Sequence, residues 1–254
     1  MSSREPITCL ITKGEATPEN FSDQASRITE TIKLAVVAEI SYVQLREKRI
    51  SSRQLFELAL LAASVTKGSN TKLLVNGRLD IAIAAGANGV HLPEDGVPVA
   101  ALRAQIGSRF IIGASVHSLE SALDAKKDGA DFVIFGPVFD SSEKKGVGVD
   151  NLAEICDEMG DFPVIAVGGI ERENAADVLK NGAAGYAAIR YLNDAVTSDL
   201  SVPPAVSGVS KLERLRILAA AAAKYRSPRG VPTRSEPQRG DASERDREPA
   251  KRAL

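Results

Sequence analysis

The stretch FIIGASVHSLESALDAKKDGADFVIFGPVF, residues 110–139, contains a strand, a helix and a second strand in that order. The apolar runs FIIGASV (110–116) and DFVIFGPV (131–138) are typical of strands that are buried on both faces. Between them, Ser118 begins a segment of helical length that ends at Gly129, as a serine cap and a glycine stop predict. Repeated strand–helix–strand units of this kind build a parallel sheet.

The same alternation runs through most of the chain. Six further strands are predicted, at 7–12, 42–47, 72–77, 89–92, 163–169 and 185–192. Eight strands separated by helices predict an α/β fold, the (β/α)8 TIM barrel, in which the carboxyl ends of all strands meet on one face. Since active sites of such barrels lie on that face, the residues that follow each strand are the first candidates for function.

The length of 254 residues fits one barrel, and the composition suggests where that barrel ends. We predict a barrel over residues 7–226, with a loop at 193–208 and a last helix in the alanine-rich segment 211–227. Residues 227–254 are charged and almost without apolar side chains, which predicts a disordered tail.

Charge and cysteine content narrow the class of protein. The formal net charge of −1 gives no electrostatic reason to expect nucleic acid or an anionic membrane as a partner. No apolar run reaches the length of a membrane-spanning helix, and the two cysteines lack the spacing of a metal site. We therefore expect a cytoplasmic protein that binds a small molecule, and the sequence leaves a homodimer open.

The segment QLREK places three polar side chains at alternate positions. A period of two puts Gln44, Arg46 and Lys48 on the same side of a strand, facing the barrel or its mouth. Basic side chains gathered there predict a phosphate or carboxylate ligand. The alternative is an internal salt bridge to Glu47 or Asp95.

A second anion site is predicted where the seventh and eighth strands end. Gly168 and Gly169 in VIAVGGI allow main-chain N–H groups to approach a phosphate, and Arg190 lies within the predicted eighth strand. The alternative is a tight turn without a ligand. Lys144 belongs to the glycine-containing segment DSSEKKGVG, which we interpret as a mobile lid over the mouth.

Two histidines occur in the chain. His117 directly follows a predicted strand and is a candidate general acid–base, with a helix-capping or hydrogen-bonded histidine as the alternative. His91 lies inside a buried strand pattern, and we expect it to have a structural role.

Together these segments resemble the thiamine phosphate synthase and TenI (thiazole tautomerase) superfamily over residues 7–192. The resemblance includes QLREK, LLVNGRLDIAIAAGANGVHLPED, the stretch quoted above, the KKGVG lid and VIAVGGI. It implies a TIM barrel that binds a phosphorylated thiazole, and it adds Asn76 to the substrate-binding residues. The synthase branch joins a pyrimidine diphosphate to a thiazole phosphate and holds Mg²⁺ with two aspartates.

The chain departs from the synthase pattern at the positions of the two metal-binding aspartates. The resemblance places Gly77 at the first aspartate position and Asp95 at the second, and Glu143 in the lid would repel a diphosphate. The tautomerase branch needs one acid–base group, a phosphate site and no metal, and it assigns the proton transfer to the histidine equivalent to His117.

We therefore predict a TenI-like tautomerase without a cofactor. The alternatives are a synthase that uses Mg²⁺ at Asp95, and a non-catalytic regulator that binds a thiamine precursor.

Overall fold

The computed structural model describes residues 5–141 and 144–197 of the chain. Eight short strands lie in this range: β1 (Ile7–Ile11), β2 (Tyr42–Leu45), β3 (Lys72–Asn76), β4 (Gly89–Leu92), β5 (Ile111–Val116), β6 (Phe132–Phe135), β7 (Val164–Val167) and β8 (Gly185–Ala188). Each strand pairs in parallel with the next, and β8 pairs with β1, so the sheet closes into a barrel. The predicted (β/α)8 fold is confirmed.

Helices follow the strands and cover the outside of the barrel. They are α1 (Phe21–Val37), α2 (Ser52–Thr66), α3 (Leu79–Ala85), α4 (Val99–Ile106), α5 (Leu119–Lys127), α6 (Val149–Met159), α7 (Ala175–Lys180) and α8 (Arg190–Thr197). Capping boxes at Ser51 and Ser118 fix the starts of α2 and α5, because each serine accepts a hydrogen bond from the backbone three residues on. None of the described helices is long and apolar enough to cross a membrane.

Alternate residues along each strand form two separate apolar cores. The larger core lies between the strands and the helices and includes Val43, Leu45 and Val90. The smaller core fills the barrel and includes Cys9, Leu74 and Phe132. Because strand side chains alternate between faces, the residues next to Val43 and Val90, which are Gln44 and His91, point into the barrel.

The predicted eighth strand, 185–192, extends too far at its carboxyl end. β8 ends at Ala188, and Arg190 is the first residue of α8. The side-chain amide of Asn193 donates to the carbonyl oxygens of Ile189 and Ile11, which ties the first turn of α8 to β1. The predicted loop at 193–208 is therefore helical as far as Thr197. The rest of that loop, the predicted helix at 211–227 and the predicted tail at 227–254 lie outside the described residues.

Candidate active site

Gln44 lies inside the barrel just below its carboxyl-end face. It is the third of the four residues of β2 and is only 2% exposed. Its side-chain Nε2 has no hydrogen-bond partner within residues 5–141 and 144–197. A buried amide of this kind is rare unless a ligand or water completes its hydrogen bonds.

Arg46 and Lys48 follow β2 at the carboxyl-end face of the barrel. Arg46 is half-buried and Lys48 is exposed. The buried carboxylate of Glu47, between them, accepts hydrogen bonds from the amides of Gly14 (3.1 Å) and Ala16 (3.0 Å). Neither basic side chain forms an ion pair in the part of the chain that the structure describes, so the predicted alternative of an internal salt bridge is not formed there.

His91 lies in the barrel at the level of Gln44, and nothing in the described structure satisfies its ring nitrogens. It is 3% exposed, and neither Nδ1 nor Nε2 has a hydrogen-bond partner among the described residues. Burial, together with the nearby charge of Arg46, lowers the pKa of His91 to about 3, so the imidazole is neutral near pH 7. A buried polar group without a hydrogen-bond partner lowers the stability of a fold by about 1–3 kcal/mol. A purely structural role therefore does not explain a histidine at this position.

Two aromatic rings support His91 from below. The His91 ring stacks on Phe132 with a centroid distance of 6.3 Å, and Phe132 stacks on Tyr42 at 5.1 Å. Gly113 makes this possible, because a Cβ atom there would overlap the Phe132 ring. Together with the other side chains of the smaller core, Phe132 and Tyr42 occupy the barrel interior beside His91.

His117 lies at the mouth, directly after β5, between two hydrogen-bond acceptors. Its Nδ1 is 2.5 Å from the carbonyl oxygen of Gly136, which identifies Nδ1 as the protonated nitrogen. Its Nε2 is 3.6 Å from a carboxylate oxygen of Glu94. The cap of α5 is Ser118, so the imidazole of His117 is not a helix cap, and Nε2 is the atom that can exchange a proton with a ligand.

Asn76 ends β3 beside His91. The two residues are partners in the β3–β4 register, and Asn76 is half-buried. The resemblance to the superfamily assigned Asn76 to substrate binding, and the structure brings it next to His91.

Lys144 lies in a compact turn of the predicted lid. Its carbonyl oxygen accepts a hydrogen bond from the amide of Ser141 (2.9 Å), and its own amide donates to the hydroxyl of Ser141 (3.1 Å). The Lys144 side chain is exposed. Residues 142–143, and with them the predicted repulsion between an acidic lid residue and a diphosphate, lie outside the described residues.

Gly168 and Gly169 end β7 with left-handed backbone, at φ values of 95° and 60°. A Cβ atom on Gly168 would overlap Pro137, and one on Gly169 would overlap Phe139. The packing of the neighbouring loop therefore requires glycine at both positions even without a ligand. A side chain at either glycine would therefore disturb the fold as well as any ligand site.

Arg190 is placed differently from the prediction. Its guanidinium donates to a carboxylate oxygen of Glu171 at 2.7 Å, and its side chain is 74% exposed. As the first residue of α8, it instead contributes a main-chain N–H, one of the helix-terminal groups that have no partner within the helix. Because β7 and β8 are paired, the main-chain N–H groups at the start of α8 lie near the Gly168–Gly169 turn.

The family model described as "Thiamine monophosphate synthase" (TMP-TENI) matches residues 9–192. The chain belongs to this family. The thiamine-phosphate synthase of Chloroflexus aurantiacus is 41% identical over 162 residues, which are 62% of this chain and 74% of that protein. A putative thiamine-phosphate synthase 2 of Aquifex aeolicus is 41% identical over 187 residues, 72% of this chain and 96% of its relative.

A solved structure agrees with the TMP-TENI membership. The thiamine phosphate pyrophosphorylase of Pyrococcus furiosus superposes with a TM-score of 0.66 at 28% identity, covering 85% of this chain and 96% of that one. The relatives named here carry the name of the synthase branch, which the sequence analysis had placed second. The comparisons therefore favour that alternative over the tautomerase.

The Mg²⁺ that the synthase branch implies finds a poor donor set here. Asp95 is exposed, and no group of three or more His, Cys, Asp or Glu side chains that could hold a metal occurs within residues 5–141 and 144–197. Gly77, which replaces the first aspartate, offers no ligand side chain. Since Mg²⁺ binds through one or two carboxylates together with substrate phosphates, Asp95 alone does not fit a preformed metal site.

Proposed function

We propose that the protein is a synthase-type transferase that joins a pyrimidine diphosphate to a thiazole phosphate. The observation that supports this most directly concerns Arg46 and Lys48 after β2, two basic side chains that form no ion pair with any residue the structure describes. They lie apart from the second anion site that we predict at the ends of β7 and β8. Two anion sites suit two phosphorylated substrates, and the names of the family relatives agree with that chemistry.

In this proposal each anion site has one task. Arg46 and Lys48 bind the diphosphate, and the main-chain N–H groups at Gly168, Gly169 and the start of α8 bind the thiazole phosphate. The bond between the pyrimidine methylene carbon and the diphosphate oxygen breaks, and its electron pair leaves with the diphosphate. Arg46 and Lys48 stabilise the charge that develops on that oxygen, while the thiazole nitrogen forms the new bond to carbon.

A second candidate is tautomerase activity, and His117 is the observation that favours it. An imidazole whose Nδ1 is fixed by Gly136, and whose Nε2 is open at the mouth, can move a proton between two positions of one ligand. This reaction needs one phosphate site and no metal. Glu94, which the sequence analysis did not identify, would hold the protonated form of His117 during transfer.

The number of anion sites separates the two candidates. In a calorimetric titration, the synthase proposal predicts that diphosphate and a thiazole phosphate bind at the same time. Lys48→Met should weaken diphosphate binding about tenfold or more and leave thiazole phosphate unaffected. Lys33→Met, which removes an exposed lysine paired with Glu30 on α1, is the matched control and should change neither. Competition between the two ligands for one site would instead support the tautomerase.

A further inference from the structure

Glu47 is a buried carboxylate between the two basic residues that follow β2. It is 4% exposed. Its two oxygens accept hydrogen bonds from the main-chain N–H groups of Gly14 (3.1 Å) and Ala16 (3.0 Å), which lie in the loop after β1. A buried charge is costly unless hydrogen bonds compensate for the lost water, so these two contacts hold the carboxylate in one place. Glu47 is therefore anchored to the neighbouring loop.

The same loop holds the main chain around Glu47. β2 ends one residue before Arg46, and contacts with the loop after β1 support the chain beyond that point. The main-chain N–H of Arg46 donates to the hydroxyl of the buried Thr12 (2.9 Å), and the guanidinium of Arg49 donates to the carbonyl oxygen of Gly14 (3.1 Å). The segment from Arg46 to Arg49 is thus attached to one loop at three residues.

The loop after β1 approaches this segment so closely that it requires glycine. Gly14 has a left-handed φ of 74°. A Cβ atom there would lie 3.3 Å from the carbonyl oxygen of Arg46, so the two stretches of main chain pack directly on each other. A shift of the loop would therefore move Arg46 as well.

Arg46 points from this anchored chain toward the barrel. Burial, and with it the charge of Arg46, lowers the pKa of His91, which places the Arg46 guanidinium near the interior. Lys48, on the other side of Glu47, is exposed. The direction of both basic side chains depends on the main chain that Glu47 holds.

We propose that Glu47 is a positioning residue for the diphosphate. Its carboxylate fixes the main chain between Arg46 and Lys48 against the loop after β1, so that both cations start from fixed points at the mouth. A site that is ordered before the ligand arrives binds more tightly, because the ligand does not have to order it. This inference rests on the proposed function, which assigns the diphosphate to Arg46 and Lys48.

The charge of Glu47 separates positioning from electrostatics. A carboxylate between two cations repels a diphosphate, so on charge alone its neutralisation should strengthen diphosphate binding. Positioning predicts the opposite sign, because a side chain that loses one of its two loop hydrogen bonds releases the loop. Glu47→Gln keeps the size of the side chain and one accepting oxygen, and it therefore distinguishes the two effects.

The probe is inorganic diphosphate, titrated by calorimetry into the folded full-length protein. Glu47→Gln should weaken diphosphate binding by about fivefold or more, because a loop hydrogen bond is lost and the cations are displaced. Affinity for a thiazole phosphate, titrated in the same way, should change by less than about twofold, since that ligand binds elsewhere. If Glu47→Gln does not fold, Thr12→Val, which removes the acceptor of the Arg46 N–H, should weaken diphosphate binding instead.

Asp131→Asn is the matched control. The Asp131 carboxylate also accepts a hydrogen bond from a main-chain N–H, that of Ile112 (2.8 Å), and it pairs with Arg103. It lies just before β6, at the end of the barrel opposite the mouth. The substitution should lower the melting temperature and leave diphosphate affinity unchanged. An equal loss of diphosphate affinity in Asp131→Asn and Glu47→Gln would indicate general loosening of the barrel and overturn the inference.

The outcomes for the inference and for the proposed function are separate. Unchanged or tighter diphosphate binding in folded Glu47→Gln, with weaker binding in Lys48→Met, would overturn the inference alone. The same holds for full affinity in Thr12→Val where Glu47→Gln does not fold. Unchanged affinity in Lys48→Met would instead overturn the assignment of the diphosphate to this part of the mouth, and the inference with it.

Discussion

The Nδ1 atom of His117 lies 2.5 Å from the carbonyl oxygen of Gly136, across the ends of two neighbouring strands. This contact fixes the ring and its tautomer, and it leaves Nε2 facing Glu94 and the mouth. The imidazole is thereby held in one orientation at the mouth of the barrel.

His117→Asn tests the tautomerase candidate. If His117 moves the proton, the substitution should lower exchange of the transferred hydrogen of a thiazole carboxylate phosphate by about 10² or more, while the ligand still binds. Hydrogen–deuterium exchange followed by NMR measures the rate, and calorimetry measures binding. Equal exchange in the natural protein and the variant would remove His117 from this chemistry. A natural protein that binds the ligand without any turnover would support the regulator instead.

Arg190→Ala should have a small effect on phosphate binding. The side chain is largely exposed and already paired with Glu171, and exposed ion pairs contribute only about 0–1 kcal/mol. We therefore expect affinity for a thiazole phosphate to fall less than about fivefold, in contrast to the loss of about 1.5–3 kcal/mol expected for a direct charge-assisted hydrogen bond. Calorimetric titration measures the difference, and a loss in the larger range would mean that Arg190 leaves Glu171 to bind phosphate.

Gly77→Asp should create metal affinity that the natural protein lacks. A Cβ atom at Gly77 would contact Pro93 Cδ at an ordinary 3.7 Å, so the side chain fits. The φ of 65° is left-handed, a conformation that Asp tolerates better than most residues at a cost of about 1–2 kcal/mol. Titration with Mg²⁺ alone should show binding only in the variant, and Gly77→Ala serves as the control for the backbone strain. Tight Mg²⁺ binding by the natural protein would contradict this expectation.

His91 should make the fold less stable in acid. Its pKa is about 3 in the folded protein and near 6.5 when unfolded, so the unfolded chain takes up a proton that the folded protein excludes as the pH falls below about 6.5. Between pH 7 and pH 5 this should lower the free energy of unfolding by about 2 kcal/mol. Urea unfolding at both pH values measures the loss, and His91→Leu should lack that share of it. The same pH dependence in both proteins would show that another group is responsible.

The fold could be predicted from the sequence because apolar runs and glycine stops mark each buried strand independently. All eight predicted strands form, and their predicted ends run past the observed ones where polar mouth residues continue the alternation, as at Arg46. Arg190 was misplaced because GYAAIRYL satisfies both a strand and the start of an amphipathic helix.

The site was harder to predict, because its main features are relations between distant segments. The Glu47 carboxylate accepts hydrogen bonds from Gly14 and Ala16, more than 30 residues away, and no local pattern shows this. Arg46 and Lys48 form no ion pair among the residues that the structure describes. Glu94 was missed because its distance from His117 depends on the path of the loop after β4, which no local pattern specifies. Whether His91 has hydrogen-bond partners depends on the side chains of the neighbouring strands, and among the described residues it has none.

The proposed transferase reaction is measured as formation of thiamine phosphate from a pyrimidine diphosphate and a thiazole phosphate. With Mg²⁺ supplied in solution, the natural protein should form the product with release of diphosphate. Arg46→Met and Lys48→Met should each lower kcat/KM for the pyrimidine substrate by about tenfold or more, because each removes a charge-assisted contact to the leaving group, and Lys33→Met should match the natural protein. Absence of product from the folded natural protein, with both substrates bound, would contradict the account.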